Sequence, residues 1–288
     1  AKQLKADFVA TGHYCRKDSI EKDGKTIHRL LTGKDNNKDQ SYFLCQLSQE
    51  QLAMALFPVG ELQKSEVREI AASADLITAE KKDSQGLCFV GKVKLPDFLK
   101  QQLKEKKGDI IEVFPDAEMF SQNPYPLDFQ KKWTVEALES LLQPLAFHPN
   151  QGKKVGEHPG AHFFTLGQRK GIGVGGHVDP LFVLHKDTES NVLYVGEGAE
   201  HPGLLRNLLF MHADEINWLR PDLKPELGKS LEVTAQIRYR QAHHKARLFP
   251  SENGAYMLFE DNQSAIAPGQ FVAWYMDDEL IGSGVITL

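Results

Sequence analysis

Between residues 231 and 238 the chain alternates strictly: Leu231, Val233, Ala235 and Ile237 are apolar, and Glu232, Thr234, Gln236 and Arg238 are polar. Side chains two apart share a face of an extended strand, so this segment buries one side in a core only as a β-strand. Further extended runs at 246–249, 255–260, 270–276 and 280–286 are separated by turn residues, and no long helical pattern occurs after about residue 205. The stretch 206–288 is therefore expected to form a small antiparallel β-barrel.

The opening of the chain differs. Residues 1–6 read as the end of a helix and residues 7–10 as a short apolar strand running into Thr11-Gly12-His13. Such a strand calls for parallel neighbours, which this reading expects from earlier sequence, so that the chain enters its fold partway, after an N-terminal truncation. Two strand-like runs, 14–20 and 26–32, flank Asp23-Gly24, a strong hairpin signal. Ser48 followed by Gln51 forms a capping-box pattern for a helix over 49–57, closed by Pro58 and Gly60. Val67, Ile70, Ala71 and Ala74 then fall at helical spacing and predict a second helix with one buried face. A helix opened by Pro96 runs to about residue 104, and residues 115–153 read as an insertion with one helix over 135–142. The fold class is thus α/β plus all-β: an α/β segment over 1–95, a small central domain over 96–205 carrying the insertion, and the barrel over 206–288.

Hydrophobic residues make up 41% and charged residues 25% of 288, which disfavours disordered and fibrous chains. The longest apolar runs fall far short of the roughly 18 residues of a membrane helix, and no basic-then-apolar leader opens the sequence. Cys15, Cys45 and Cys88 are odd in number and contain no C-x-x-C pair, which argues against a disulfide framework and a structural zinc site, and places the chain in a reducing cytoplasm. His243 and His244 are adjacent and point apart along a strand, so no metal site is expected. With 34 basic and 39 acidic residues the net charge is −5, so a nucleic-acid partner must be held by local basic patches.

Several motifs carry chemistry. Gly171, Gly173 and Gly176 satisfy G-x-G-x-x-G but lead into another extended run, where a dinucleotide site needs a helix N-terminus. Cys88 sits among glycines and polar residues in a loop-like setting. It reads either as a small buried hydrophobe or as a thiol that carries sulfur by exchange. Lys38-Asp39-Gln40-Ser41 is a polar turn able to grip phosphate or a base edge, or simply to face water. Arg238, Arg240, Lys245 and Arg247 gather with Tyr239, His243 and His244 without one acid. That density suggests RNA contact, with a solvated strand face as the plain alternative. Gly167-Gln168-Arg169-Lys170-Gly171 is a second basic turn with the same two readings.

Taken in order, Ala10-Thr11-Gly12-His13-Tyr14, Lys38-Asp39-Gln40-Ser41-Tyr42-Phe43-Leu44, Phe57-Pro58-Val59-Gly60, Lys82-Asp83-Ser84-Gln85-Gly86-Leu87-Cys88-Phe89, Thr165-Leu166-Gly167-Gln168-Arg169-Lys170-Gly171 and Ile237-Arg238-Tyr239-Arg240-Gln241 resemble the tRNA-specific 2-thiouridylases, the MnmA/TrmU family. The resemblance spans nearly the whole chain. It implies an adenine-nucleotide α-hydrolase-like (PP-loop ATPase) domain ahead of the central domain and barrel, and a cytoplasmic sulfurtransferase that uses ATP and Mg²⁺ to place sulfur at C2 of the wobble uridine of tRNA. It further implies that Cys88 carries a persulfide supplied by a cysteine desulfurase or sulfur-relay protein and later forms a transient disulfide with a second cysteine. Gly12 falls at an ATP-contacting position and His13 beside the target nucleotide. Lys38, Asp39 and Gln40 correspond to a tRNA-contacting turn, and Arg238, Tyr239 and Gln270 to tRNA contacts from the barrel. The sequence contains neither an S-G-G-x-D-S pyrophosphate loop nor the family's Asn-Pro-Asp-x-x-Cys, and neither Cys15 nor Cys45 matches that second cysteine. An incomplete, inactive chain is the expectation that follows, with a noncatalytic tRNA-binding module or a persulfide carrier that needs no ATP as the alternatives.

Overall fold

A computed structural model describes residues 5–80, 103–121, 123–142 and 144–287. In chain order the elements are β1 (Val9–Ala10), β2 (Cys15–Lys22), β3 (Lys25–Thr32), α1 (Gln49–Met54), β4 (Ala55–Leu56), α2 (Lys64–Ser73), β5 (Gly108–Glu112), α3 (Glu118–Ser121), α4 (Val135–Leu141), β6 (Lys153–His158), β7 (Leu181–Asp187), β8 (Val192–Glu197), β9 (Leu205–His212), β10 (Ile216–Trp218), β11 (Leu231–Gln236), β12 (His244–Ser251), β13 (Gly254–Ser264), β14 (Phe271–Met276) and β15 (Glu279–Val285). They build a two-stranded pair β1-β4, a four-stranded sheet in the order β6-β5-β8-β7, and a large sheet in the order β2-β3-β15-β14-β11-β12-β13-β9 with β10 also paired to β15. No described helix is long and apolar enough to cross a membrane. The expected helix opened by Pro96 lies outside the described residues.

The hairpin forms where Asp-Gly predicts it. Asp23 and Gly24 both take positive φ, 51° and 71°, and Lys22 pairs with Lys25, as a tight two-residue turn requires. Its outer partner is remote: Glu279 pairs with Leu31 and Leu280 with Leu30, so β3 extends the sheet built by the C-terminal strands. The edge of β15 is divided between two strands, β3 over Glu279–Leu280 and β10 over residues 282–284. At its far end this sheet meets the chain terminus again, where Phe210 and Thr287 exchange backbone hydrogen bonds.

The alternation at 231–237 places Val233, Ala235 and Ile237 in the main core with Leu209, Met257 and the fully buried Trp274. A second core, between the hairpin, α1 and the sheet, contains Cys15, Leu30, Cys45, Leu52, Tyr275 and Leu280. Cys15 and Cys45 are thus core residues, and burial pushes both thiols up, so neither is poised as a nucleophile.

Several expectations are corrected. The helix after Ser48 has its capping box, with Ser48 Oγ accepting from Gln51 N at 3.2 Å and Gln51 Oε1 accepting from Ser48 N at 2.9 Å. It stops at Met54, three residues early, because Ala55 and Leu56 are extended and pair in parallel with Val9 and Ala10. The opening strand therefore has one parallel neighbour that the sequence reading did not name, β4, from later in the chain. In α2 the predicted apolar face is not buried: no residue of the helix is, and Ile70 is 55% exposed. Its small side chains give a weak stripe, and the helix is instead set by its start, where Gln63 N donates to Glu66 and Lys64 N donates to Asp35 Oδ2 at 3.0 Å. The basic run is not one strand either. Residues 237–243 form a turn in which Ile237 N donates to Gln241 Oε1 at 3.0 Å, and β12 starts at His244.

The insertion packs on the outer face of the large sheet. Leu127 and Leu138 meet Leu208, Phe210, Phe249 and Leu258, and the buried Asn207 exchanges hydrogen bonds of 2.8 and 2.9 Å with the backbone of Leu127. In the central sheet, the loop through Gly171 and Gly176 leads into β7, which excludes a dinucleotide helix there.

Candidate nucleic-acid interface

The candidate residues lie on four loops, and a hydrogen-bonded frame joins them. Gly12 follows β1 at its C-terminal end, where Thr11 N donates to Leu56 O at 3.0 Å. Among the described residues, its two chain neighbours apart, no heavy atom lies within 4 Å of where a Cβ on Gly12 would sit. His13, half-buried, has its Nδ1 against Thr11 Oγ1, and desolvation lowers its pKa, which favours the neutral ring. Tyr14 then turns the chain into β2. Gly60 backs this segment, since a Cβ there would stand 1.9 Å from Cys15 O; this gives the Phe57-Pro58-Val59-Gly60 motif a packing reason.

The Lys38-Asp39-Gln40-Ser41 turn sits against Tyr14. Gln40 Oε1 accepts from Tyr14 N and Tyr14 O accepts from Gln40 N, both at 3.0 Å. Asp39 organises its own loop: Oδ1 accepts from Gly33 N at 2.8 Å and from Ser41 N at 3.3 Å, and Oδ2 accepts from Ser41 Oγ at 2.7 Å. Because the Ser41 proton is spent on Asp39, the 3.1 Å contact between Ser41 Oγ and Tyr275 Oη has Tyr275 as donor. Tyr275 in turn accepts from Gln236 Nε2 at 3.1 Å. The result is a directed chain from Gln236 through Tyr275 and Ser41 to the Asp39 carboxylate, with the Tyr275 phenol pushed up by burial and held protonated.

The Arg238-Tyr239-Arg240 turn meets this frame from the other side. The Tyr42 hydroxyl, its pKa pushed up to about 12 by burial, reaches Ile237 O at 3.1 Å and Phe271 O at 2.9 Å. The Tyr239 ring lies 4.3 Å, centroid to centroid, from Phe43, which is 55% exposed, and the Arg240 guanidinium sits over Tyr239. Asn37, Asp39, Tyr239, Arg240, His243 and Asp278 help to line a polar cavity of about 510 Å³ at this junction. His243 stacks on Tyr275 with ring centroids 4.2 Å apart.

Arg238 points away from that cavity: Nη2 donates to Ala265 O at 2.6 Å, and burial lowers its pKa. There it adjoins the second basic turn, because a Cβ on Gly167 would lie 3.7 Å from Arg238 Nη2. Gly167 N donates to Val183 O at 2.8 Å and Val183 N to Gln168 O at 3.0 Å, which fixes the turn on β7 and leaves Arg169 and Lys170 exposed. The remaining cations of the basic run serve elsewhere. Lys245 pairs with Glu260 at 3.7 Å, and Arg247 sits over Phe129 and donates to Lys131 O at 3.3 Å, clamping the insertion.

Gln270 lies one residue before the Phe271 carbonyl that accepts from Tyr42, and its own Oε1 is buried without a hydrogen-bond partner among the described residues. Sequence reading therefore named Asp39, Gln40, Arg238, Tyr239 and Gln270 on loops that the fold brings together. It named Ser41 as part of the polar turn, but gave no role to Tyr42, Phe43, Gln236 and Tyr275, which join those loops. Two aromatic residues, Tyr42 and Phe43, directly after a polar turn are the available signal. Cys88 lies outside the described residues.

Residues 1–92 match the family model described as the tRNA methyl transferase HUP domain, residues 145–197 the tRNA methyl transferase PRC-barrel domain, and residues 210–286 the Aminomethyltransferase beta-barrel domain. Over 287 residues the chain is 54% identical to the tRNA-specific 2-thiouridylase MnmA of Christiangramia forsetii, covering 100% of this chain and 72% of the relative. It is 53% identical over 288 residues to that of Flavobacterium johnsoniae, with the same coverage, and 46% identical over 284 residues to that of Karelsulcia muelleri, covering 99% of this chain and 70% of the relative. Three matched segments in family order, together with this identity along the entire chain, make it a member of the tRNA-specific 2-thiouridylase MnmA family.

Proposed function

We propose that the chain acts in 2-thiolation of the wobble uridine of tRNA, as a cytoplasmic tRNA-uridine 2-sulfurtransferase. The observation that carries this reading is the 54% identity along the whole chain to an enzyme of that name. ATP with Mg²⁺ would supply the activation: the uridine C2 oxygen takes the adenylyl group as pyrophosphate leaves, and that group later departs as AMP. Gly12, with open space among the described residues at the end of a parallel strand, offers a close approach for the nucleotide. His13, held against Thr11 with its pKa lowered, presents a neutral ring beside the target base.

Cys88 receives sulfur from a cysteine desulfurase or relay protein and holds it as a persulfide. Its outer sulfur forms the bond to C2 as AMP leaves. A second thiolate, from a cysteine other than Cys15, Cys45 and Cys88, then attacks Cys88 Sγ, which leaves sulfur on C2 and a disulfide to Cys88 that an external thiol must reduce before the next turnover. Lys38, Asp39, Gln40, Arg238, Tyr239 and Gln270 form the tRNA-contacting surface. There the tilted ring pair Phe43–Tyr239 suits an unpaired base, and Arg240, Arg169 and Lys170 suit phosphates.

The test is intact-mass analysis after incubation with a cysteine desulfurase, cysteine and a sulfur-relay protein, comparing the chain with Cys88→Ser. The expected result is one reducible sulfur that disappears in the variant, together with tRNA binding by both proteins. tRNA binding without any sulfur on Cys88 would overturn the sulfurtransferase reading and leave an RNA-binding module. Sulfur uptake without tRNA affinity would leave a sulfur carrier.

A further inference from the structure

We propose that the central sheet carries a divalent transition-metal site formed by Glu112, His177 and Glu197. β5 and β8 are neighbouring parallel strands, with Glu112 paired to Val195. Their C-terminal ends therefore lie at one edge of the sheet, and Glu112 and Glu197 are the last residues of each. The loop that enters β7 brings His177 to the same edge, close to where Leu181 pairs with Glu197. One ligand atom from each of the three residues lies within 4.8 Å of the other two.

The surroundings are those of a built site. Glu112 is 4% exposed, and a carboxylate is costly to bury unless something of opposite charge faces it. Its Oε1 stands 3.1 Å from His177 Nε2. His177 is not satisfied as an ordinary core histidine, because its Nδ1 is also buried and has no partner among the described residues. Glu197 is oriented by a further bond, its Oε1 accepting from Asp179 N at 2.7 Å, which ties it to the loop that carries His177. Hydrogen-bonded support of this kind is how metal ligands are held in place.

One imidazole and two carboxylates suit Zn²⁺ or Mn²⁺, whereas Ca²⁺ and Mg²⁺ take all-oxygen sets. Ligands about 2.1 Å from a tetrahedral ion stand closer together than 4.8 Å, so ion binding requires the half-exposed Glu197 to move inward and to stretch or exchange its bond from Asp179 N. Such an ion links β5, β8 and the loop through Gly171–Gly176, which continues directly from the exposed Arg169-Lys170 turn. Its effect is to fix that loop on the sheet.

Zn²⁺ titration by calorimetry tests this, using the 288-residue chain in a Cys88→Ser background to remove a competing thiol. The expected result is one equivalent bound, with His177→Gln and Glu197→Gln each weakening affinity about tenfold or more. Circular dichroism confirms that the variants are folded, and Glu197, being half-exposed, tolerates the change best. A second readout is visible absorption of the Co²⁺-loaded parent, lost in both variants. No Zn²⁺ uptake by the folded parent, or uptake unchanged in both variants, overturns the proposal.

Discussion

Gln40 and Tyr14 hold one another through two hydrogen bonds of 3.0 Å, one to the Gln40 side chain and one from its backbone. His13 precedes Tyr14 directly, so the position of the His13 ring depends on the 38–41 turn. Gln40→Ala removes the side-chain bond and leaves Tyr14 N unmatched, at an expected cost of about 1–3 kcal/mol. Urea denaturation measures it. A stability equal to the parent would mean that Gln40 does not brace Tyr14.

Arg240 and Arg247 separate the two roles of the basic run. Arg240→Glu should weaken tRNA binding and flatten its salt dependence by about one unit of slope, because Arg240 is exposed on the turn beside Tyr239. Arg247→Ala should leave the slope unchanged and loosen the insertion, since Arg247 spans Phe129 and Lys131. Filter binding at several salt concentrations distinguishes them. An unchanged slope for Arg240→Glu removes this turn from the interface.

Glu279 anchors the hairpin. Arg29 Nε donates to it at 2.7 Å, Arg220 also pairs with it, and Arg220 in turn grips Asp222 at 2.8 and 2.9 Å. Glu279→Gln leaves two cations facing a neutral group, one of them buried, and should cost about 3–5 kcal/mol. The Arg220 guanidinium, with help from Lys22, holds the Asp222 carboxyl well below the usual carboxylate range. A carboxylate depressed in the folded state adds stability above its unfolded value, near 4, and loses it as pH falls further. The stability gap between parent and Asp222→Asn should therefore be widest at pH 7 and narrower at pH 3. A constant gap would refute the ion pair's contribution.

His201 makes a different pH prediction. Its Nδ1 accepts from Gly203 N at 3.1 Å and its Nε2 faces Val113 O at 3.0 Å, so the neutral ring donates through Nε2 only. A second proton would point at an N–H, and desolvation lowers the pKa. A histidine depressed in the folded state takes up its proton on unfolding, so stability is full above about pH 6.5 and falls as pH drops below it. Tm measured from pH 8 to pH 5 should decline, and decline less in His201→Gln. Equal pH profiles would exclude His201 as the source.

Local signals in the sequence were legible, and distant pairings were not. Asp23-Gly24 gives the hairpin and Ser48-x-x-Gln51 gives the helix start because both are decided within a few residues. Nothing in residues 25–32 announces Leu30 opposite Leu280, since a strand's pattern shows which face is buried but not which strand lies beside it. The stripe of Val67, Ile70, Ala71 and Ala74 overstated burial because the period reports a face and not what covers it. At the site, polar turn residues were readable from composition. Their division into a loop brace at Asp39, an exposed cation at Arg240 and an insertion clamp at Arg247 follows from distances alone.

The sharing of β15's edge between β3 and β10 also bears on how the protein avoids self-association. Family matching draws one boundary at residue 92 and another at 210, yet the strand that covers Glu279–Leu280 comes from before the first. A chain cut to residues 206–288 would retain its Trp274 core but open part of β15 to water, with unpaired main-chain groups beside the apolar Leu280 and Ile281. An uncovered edge of that kind is a template for a neighbouring molecule's strand. The N-terminal hairpin thus caps a sheet edge that the C-terminal strands leave open over Glu279–Leu280.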